Sequence, residues 1–284
     1  MLLLTSPNGK TGLSIIKKLN QHSIPYKVLT SSYASKIYLK NCGVKNINIG
    51  NIRNINDIKL ALKGTNQTYL VTPNFFFNEF SVVEKFISIA STIPNYKLIF
   101  HSVIHPQIKM LPHHWSKMKI ENKLISSKLK WTILQPTMYM QNILPQIEKA
   151  KINKFIGMPI PIDQKLSMVD LNDVSEIVIK AISEDTLEYG IYELVGESLS
   201  LQDQAKAIGK LLKLDIDAQQ FTLKSSKTVL KIPFKGRYGE NTYNKMFKYY
   251  SENGLRGNSN TLRNLLGREP TKFNSMLKKH LKCL

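Results

Sequence analysis

Short apolar runs alternate with amphipathic stretches along the first 140 residues, the pattern that βαβ units leave in a chain. Met1–Thr5, Tyr26–Thr30, Lys45–Ile49, Gln67–Val71, Lys97–Ser102 and Lys130–Leu134 read as strands. Between them Leu13, Ile15, Ile16 and Leu19 form one helical stripe, and Val82, Val83, Phe86, Ile87 and Ala90 form another at i, i+3, i+4 spacing. Both stripes read as core. Right-handed crossovers then predict an α/β fold, a doubly wound parallel sheet with its ligand crevice at the carboxyl ends of the strands.

The pattern changes after Pro136. Residues 151–165, with the run FIGMPIPI, show neither a helical nor a strand period and read as a loop or lid. Asp170–Ile182 reads as a capped helix and Tyr192–Gly196 as a further strand. Residues 201–284 are helical in pattern with glycine punctuation, so the expected division is a dinucleotide-type domain over 1–200 and a smaller lobe over 201–284.

With 42% hydrophobic and 21% charged residues in 284, the chain supports a packed core, and long-range disorder or a coiled coil is excluded as its main organisation. The two cysteines, Cys42 and Cys283, supply no disulfide framework, which favours a reducing, cytoplasmic setting. The apolar start at Met1–Leu4 is short enough to be a buried strand, and no apolar run has the length of a membrane span. The net charge of +20 raises nucleic acid as a partner. Its distribution argues otherwise: 12 basic residues oppose 3 acidic ones over 1–100, 11 oppose 11 over 101–200, and 17 oppose 6 over 201–284. Of the 40 basic residues 35 are lysine, whereas phosphate and base recognition favour the arginine fork, so the excess reads as solvated surface.

Three segments can carry chemistry. The first is Ser6-Pro-Asn8-Gly9-Lys10-Thr11-Gly12, placed between the first strand and the first helix. A pyrophosphate needs backbone N–H groups at a helix N-terminus and small residues that permit close approach. Gly9 and Gly12 meet that need, while Ser6 stands where a first glycine would be. The second is Thr30-Ser31-Ser32 after the second strand, where an acid would select NAD; Lys36 one turn on leans the choice toward NADP. The third is Lys97–Glu121, which holds four of the six histidines, His101, His105, His113 and His114, and a helix starting near His113. None of these histidines forms a helix-borne i, i+4 pair with an accompanying carboxylate, so no metal site is expected.

Taken with YLVTPN at 69–74, HSVIHP at 101–106, PHHWSKMKIE at 112–121 and WTILQPTMYMQN at 131–142, the chain resembles the NmrA-like branch of the atypical short-chain dehydrogenases/reductases. That resemblance runs almost end to end. It implies an NAD(P) cofactor held by Ser6, Asn8, Gly9, Lys10, Thr11, Gly12 and Ser31, with Asn51 near the adenine where the family carries aspartate. It further implies Thr72, Pro73 and Lys117 at the nicotinamide ribose, and Pro136 lining the nicotinamide pocket. The wider superfamily uses Tyr-x-x-x-Lys, and here that spacing gives His113-x-x-x-Lys117, so the acid tyrosine is missing. In an enzyme passing hydride to a quinone-like or carbonyl acceptor, Lys117 holds the cofactor and His113 or Tyr139 donates a proton near neutral pH. Phe75, Trp115, Met138 and Asn142 would then contact the small-molecule substrate, with Phe76 packed in the core. The other reading is a redox sensor that binds NAD(P) and acts through a protein partner.

Overall fold

The structure of the protein is a computed structural model that describes residues 1–229 and 236–281; Cys283 lies outside them. The first half of the chain runs β1 (Leu2–Thr5), α1 (Lys10–Gln21), β2 (Tyr26–Thr30), α2 (Tyr33–Asn41), β3 (Ile47–Ile49), α3 (Ile55–Leu62), β4 (Gln67–Leu70), α4 (Glu79–Ala90), β5 (Lys97–His101), α5 (Pro112–Ile125) and β6 (Lys130–Pro136). There follow β7 (Met138–Tyr139), a 3-10 turn (Met140–Ile143), α6 (Leu144–Asn153), β8 (Phe155–Met158), β9 (Leu166–Val169), α7 (Leu171–Ser183), β10 (Gly190–Leu194), β11 (Glu197–Leu199) and α8 (Leu201–Leu212). The last elements are β12 (Asp217–Gln220), α9 (Leu223–Val229), α10 (Gly236–Asn253), α11 (Asn260–Leu266) and α12 (Phe273–Leu281).

The chain separates into two compact units. The first comprises residues 1–109, 113–135 and 174–192. Its sheet has the order β10-β6-β5-β4-β1-β2-β3, and every neighbouring pair from β3 to β6 is parallel. This is the doubly wound arrangement, with the strand order reversing between β1 and β4. One face is packed by Leu3, Leu70, Leu98, Phe100 and Ile133 from the strands against Ile58, Val83, Phe86, Ile87, Ile120 and Leu124 from α3, α4 and α5. The other face takes Ile15, Ile16 and Leu19 of α1, whose Ser14 hydroxyl meets that of Ser175 on α7 at 2.7 Å. Each fully buried side chain of this size contributes about 1.5–3 kcal/mol. A helix cap such as Asn54 before α3, which accepts from the N–H groups of Asn56 and Asp57, contributes about 1 kcal/mol. Packing therefore dominates in seating these helices.

The second unit comprises residues 110–112, 136–173 and 193–284. In it β9 pairs with β7 in parallel and with β11 antiparallel, and β8 pairs with β12 in parallel. The strand β8 corrects the expectation of a loop over 151–165. Ile156, Met158 and Ile160 are buried, and a Cβ at Gly157 would lie 2.0 Å from Cζ of the Phe221 ring, so this glycine is a packing site. An apolar run buried on both faces loses the alternation by which strands are read, and its partner β12 is a polar DAQQ segment with no signal of its own. The boundary also falls elsewhere than at residue 200, because 136–173 groups with 193–284. The strand expected at 192–196 is found two residues earlier. Asp170 caps α7 as expected, its carboxylate accepting from the Asn172 N–H at 2.6 Å. No helix among the described residues is long and apolar enough to cross a membrane.

Candidate active site

The carboxyl ends of β1 to β5 carry the residues that chemistry requires. At β1 the chain enters the turn through Ser6, whose φ of 49° is the left-handed conformation a glycine would adopt freely. The serine in the first-glycine position thus keeps the glycine geometry at a cost of about 1–2 kcal/mol. Gly9 is the N-cap of α1, with no side chain capping the helix and no acidic residue in its first turn. A Cβ on Gly12 would lie 2.5 Å from the carbonyl oxygen of Pro7, which is backbone and cannot yield. A Cβ on Gly9 would meet only the Ser6 carbonyl oxygen, at 3.7 Å. Gly12 is therefore fixed by the protein's own packing, and Gly9 by nothing in the protein. That leaves exposed backbone at Gly9 at a helix N-terminus, a place suited to phosphate oxygens. Asn8 and Lys10 are exposed beside it and Thr11 is buried in α1.

At β2, Ser31 is exposed while Ser32 is occupied in capping α2, its hydroxyl accepting from the Ser35 N–H at 3.2 Å. Lys36 lies with its ammonium 5.8 Å from the centroid of the Tyr33 ring. At β3, Asn51 is used locally: its Oδ1 accepts from the Arg53 N–H at 3.0 Å, and its own N–H donates to Asp57 Oδ2 at 2.7 Å. Arg53 reaches toward the β4 loop, donating to the Phe77 carbonyl at 2.8 Å and lying 4.2 Å from the Phe76 ring centroid. Phe76 is accordingly half-buried beneath a guanidinium, which corrects its assignment to the core. Neither Arg53 nor Asp57 stands out in the sequence, because each acts through a backbone group that no motif records.

The densest chemistry lies at β4 and β5. Thr72, just past β4, donates its hydroxyl proton to Glu79 Oε1 in a short hydrogen bond. Lys117 of α5 donates to Thr72 Oγ1 at 2.8 Å and to the His101 carbonyl at 3.2 Å, and its ammonium stands 2.7 Å from Glu79 Oε1. Its side chain is 13% exposed and that of Glu79 4%. The loop between them bends sharply, with Phe75 at φ 50° and Asn78 at φ 57°, while Pro73 is exposed. Sequence reasoning passed over Glu79, yet there is a signal. It precedes Val82, Val83 and Phe86 by three, four and seven residues, so it completes the apolar stripe of α4 from within.

Four residues before Lys117, His113 packs edge-on against Phe75 with ring centroids 5.4 Å apart, and its Nδ1 is a buried atom without a hydrogen-bond partner. Burial, reinforced by the neighbouring His114 and Lys117, holds its pKa well below the usual histidine value. His113 is thus neutral at neutral pH, and an imidazolium proton near pH 7 is not available from it. The same applies to His101, pushed down to about 3 by burial and Lys117, whose Nδ1 shares a short hydrogen bond with Tyr69. Trp115 is partly buried under the Lys109 ammonium at 5.1 Å. One turn beyond Lys117 a second carboxylate, Glu121, accepts from Ser102 in a short hydrogen bond and from Gln135 Nε2 at 2.9 and 3.0 Å. Its pKa is raised by burial. Among the described residues no group of three or more His, Cys, Asp and Glu could hold a metal ion.

The first unit thus brings together Ser6–Gly12, Ser31, Asn51, Thr72, Pro73, Phe75, His113, Trp115 and Lys117 on the carboxyl-end side of its sheet. Pro136, Met138, Tyr139 and Asn142 belong to the second unit. There Pro136 is buried at the end of β6, Met138 and Tyr139 pair with Met168 and Val169, and Asn142 is exposed in the 3-10 turn.

Comparison with known proteins adds the following. A family model described as the NmrA-like family matches residues 1–279. An NAD(P)H azoreductase of Xenophilus azovorans is 22% identical, over 99% of this chain and 98% of that protein. An NADPH-dependent quinone oxidoreductase of Escherichia coli, solved with NADPH, superposes with a TM-score of 0.81 at 20% identity, covering 99% of both chains. A triphenylmethane reductase of Citrobacter sp., solved with NADP(H), gives a TM-score of 0.82 at 13% identity, covering 98% of this chain and 99% of the other.

Proposed function

The chain belongs to the NmrA-like family, and from that membership and the crevice described above we propose that it is an NAD(P)H-dependent reductase of a small quinone-like or carbonyl acceptor. The observation that carries this reading is the turn at Gly9 and Gly12: an uncapped, acid-free helix N-terminus beside the point where the strand order reverses. The azoreductase and quinone oxidoreductase likenesses support the same class of chemistry.

In this reading Ser6, Asn8, Gly9, Lys10, Thr11 and Gly12 take the pyrophosphate, Ser31 and Asn51 the adenosine side, and Thr72, Pro73 and Lys117 the nicotinamide side. Lys36 near the end of β2, where no acid stands, inclines the choice to NADP. When bound, the reduced nicotinamide supplies the hydride. Reduction of a quinone also takes up a proton. Neutral His113, its Nδ1 buried, supplies no proton near pH 7, so the proton is drawn from solvent. Phe75 and Trp115 of the first unit are the side chains that would meet the acceptor. A reductase of this kind suits the cytoplasm.

The absent superfamily tyrosine and the neutral His113 favour one second reading, a redox sensor that binds the dinucleotide without turnover and answers to a protein partner. Calorimetric titration with NADPH and NADH, followed by quinone addition while reduced-cofactor absorbance is recorded, separates the two. Binding with turnover is expected; binding without turnover across several acceptors selects the sensor, and no binding refutes both.

A further inference from the structure

Lys117 has three ammonium protons, and the three acceptors around it are Thr72 Oγ1, the His101 carbonyl and Glu79 Oε1. The protein itself therefore meets its full donor capacity. Thr72 is likewise committed, since its hydroxyl proton goes to Glu79 and a lone pair of its oxygen to Lys117. A ligand hydroxyl arriving here finds the lysine already satisfied. What is left over is on the carboxylate: both of these contacts of Glu79 fall on Oε1, and Oε2 takes part in neither.

Burying a carboxylate merely to match a lysine is a weak source of stability, because desolvation of the two charges cancels much of their attraction. Glu79 nevertheless sits at the first position of α4, 4% exposed, at the helix N-terminus and with the Lys117 ammonium 2.7 Å from its Oε1. The loop that delivers it there carries two residues in the left-handed region, Phe75 and Asn78. Charge, helix end and strained loop converge on one acceptor oxygen at the carboxyl end of β4.

We propose that Glu79 is a ligand-positioning residue of this crevice, its Oε2 accepting a hydrogen bond from a sugar diol while Oε1 holds Lys117 and Thr72 in place. This rests on the dinucleotide reading above, in which the diol is the ribose on the nicotinamide side. Lys117 then acts on the ribose partly through Glu79.

The test compares whole and half cofactor. NADPH carries both riboses, and 2′,5′-ADP lacks the nicotinamide half. With E79Q, calorimetric affinity for NADPH is expected to fall at least tenfold while affinity for 2′,5′-ADP stays within twofold of the unaltered protein. Unchanged NADPH affinity overturns the proposal, and so does an equal loss for both ligands, which marks a purely structural role. Where E79Q does not fold, E79D keeps the charge opposite Lys117 but withdraws the oxygens by one methylene. It should weaken NADPH several-fold and leave 2′,5′-ADP alone, with the same outcomes overturning it. Failure of the unaltered protein to bind either NADPH or 2′,5′-ADP refutes the dinucleotide reading itself, and the proposal with it.

Discussion

The crevice is built in two ways at its two ends. At β1 the working surface is backbone: no side chain caps α1, and its shape depends on the absence of a Cβ at Gly12. At β4 and β5 it is made of side chains, with Thr72, Glu79 and Lys117 satisfying one another around a carbonyl oxygen. The first arrangement fails by collision and the second by loss of charge balance. A backbone cradle tolerates almost any change outside its glycines, whereas a buried charge cluster tolerates almost none within it.

Mutation separates the two ends. Lys117→Ala has the largest expected effect, because it strands Glu79 as an uncompensated buried charge at a cost of about 3–5 kcal/mol. Denaturant unfolding should show that loss, and NADPH affinity should fall with it, because Glu79 and Thr72 lose the ammonium that holds them in place. A stable Lys117→Ala protein would contradict the charge balance drawn here.

Gly12→Val comes next. The new Cβ meets the Pro7 backbone, and such overpacking costs about 1–3 kcal/mol. Titration should find no NADPH binding, and normal binding would mean that the turn has no part in the site. Gly9→Ala is gentler. Its Cβ is accommodated, so the melting temperature should barely move while NADPH affinity drops; equal affinity would show that no ligand approaches Gly9.

The smallest effect is expected at Glu121, whose carboxyl shares α5 with Lys117 but is surrounded by neutral donors. Burial raises its pKa above the ordinary 4.5, so the folded protein keeps this proton to higher pH than the unfolded chain does. The stability it contributes is complete below 4.5 and declines as pH rises through the raised value. Glu121→Gln removes that decline, so the variant should gain on the parent in unfolding midpoints as pH rises above 4.5. Parallel curves would show that Glu121 does not titrate in this range.

The same contrast explains what was legible in the chain. Strands β1 to β6 and the stripes of α1 and α4 announce themselves because each satisfies a local period. The Ser6–Gly12 turn is equally local, its glycines three residues apart. Glu79 is not, since its partners lie seven residues before it on the β4 loop and thirty-eight after it on α5. Read locally, it shows only as an acid on the apolar stripe of α4, which names neither partner. Segment β8 was opaque for a related reason: its partner β12 lies some sixty residues on and is polar. His113 was legible as a site residue by its spacing from Lys117, but its neutral state depends on burial against Phe75 and His114, which no spacing conveys.

The interleaving of the two units has a consequence for biogenesis. The first unit is discontinuous: residues 1–135 need 174–192 to complete it, and β10 supplies the last strand of the sheet beyond β6. A nascent chain that has just released β6 therefore exposes an unpaired parallel edge while residues 136–173, which belong to the other unit, are still being made. Parallel strands pair slowly, and such open edges are where chains associate wrongly during synthesis. Fragments ending near residue 135 should accordingly express poorly although they carry all of Ser6–Lys117, and the shortest fragment able to close the first unit ends after Leu194.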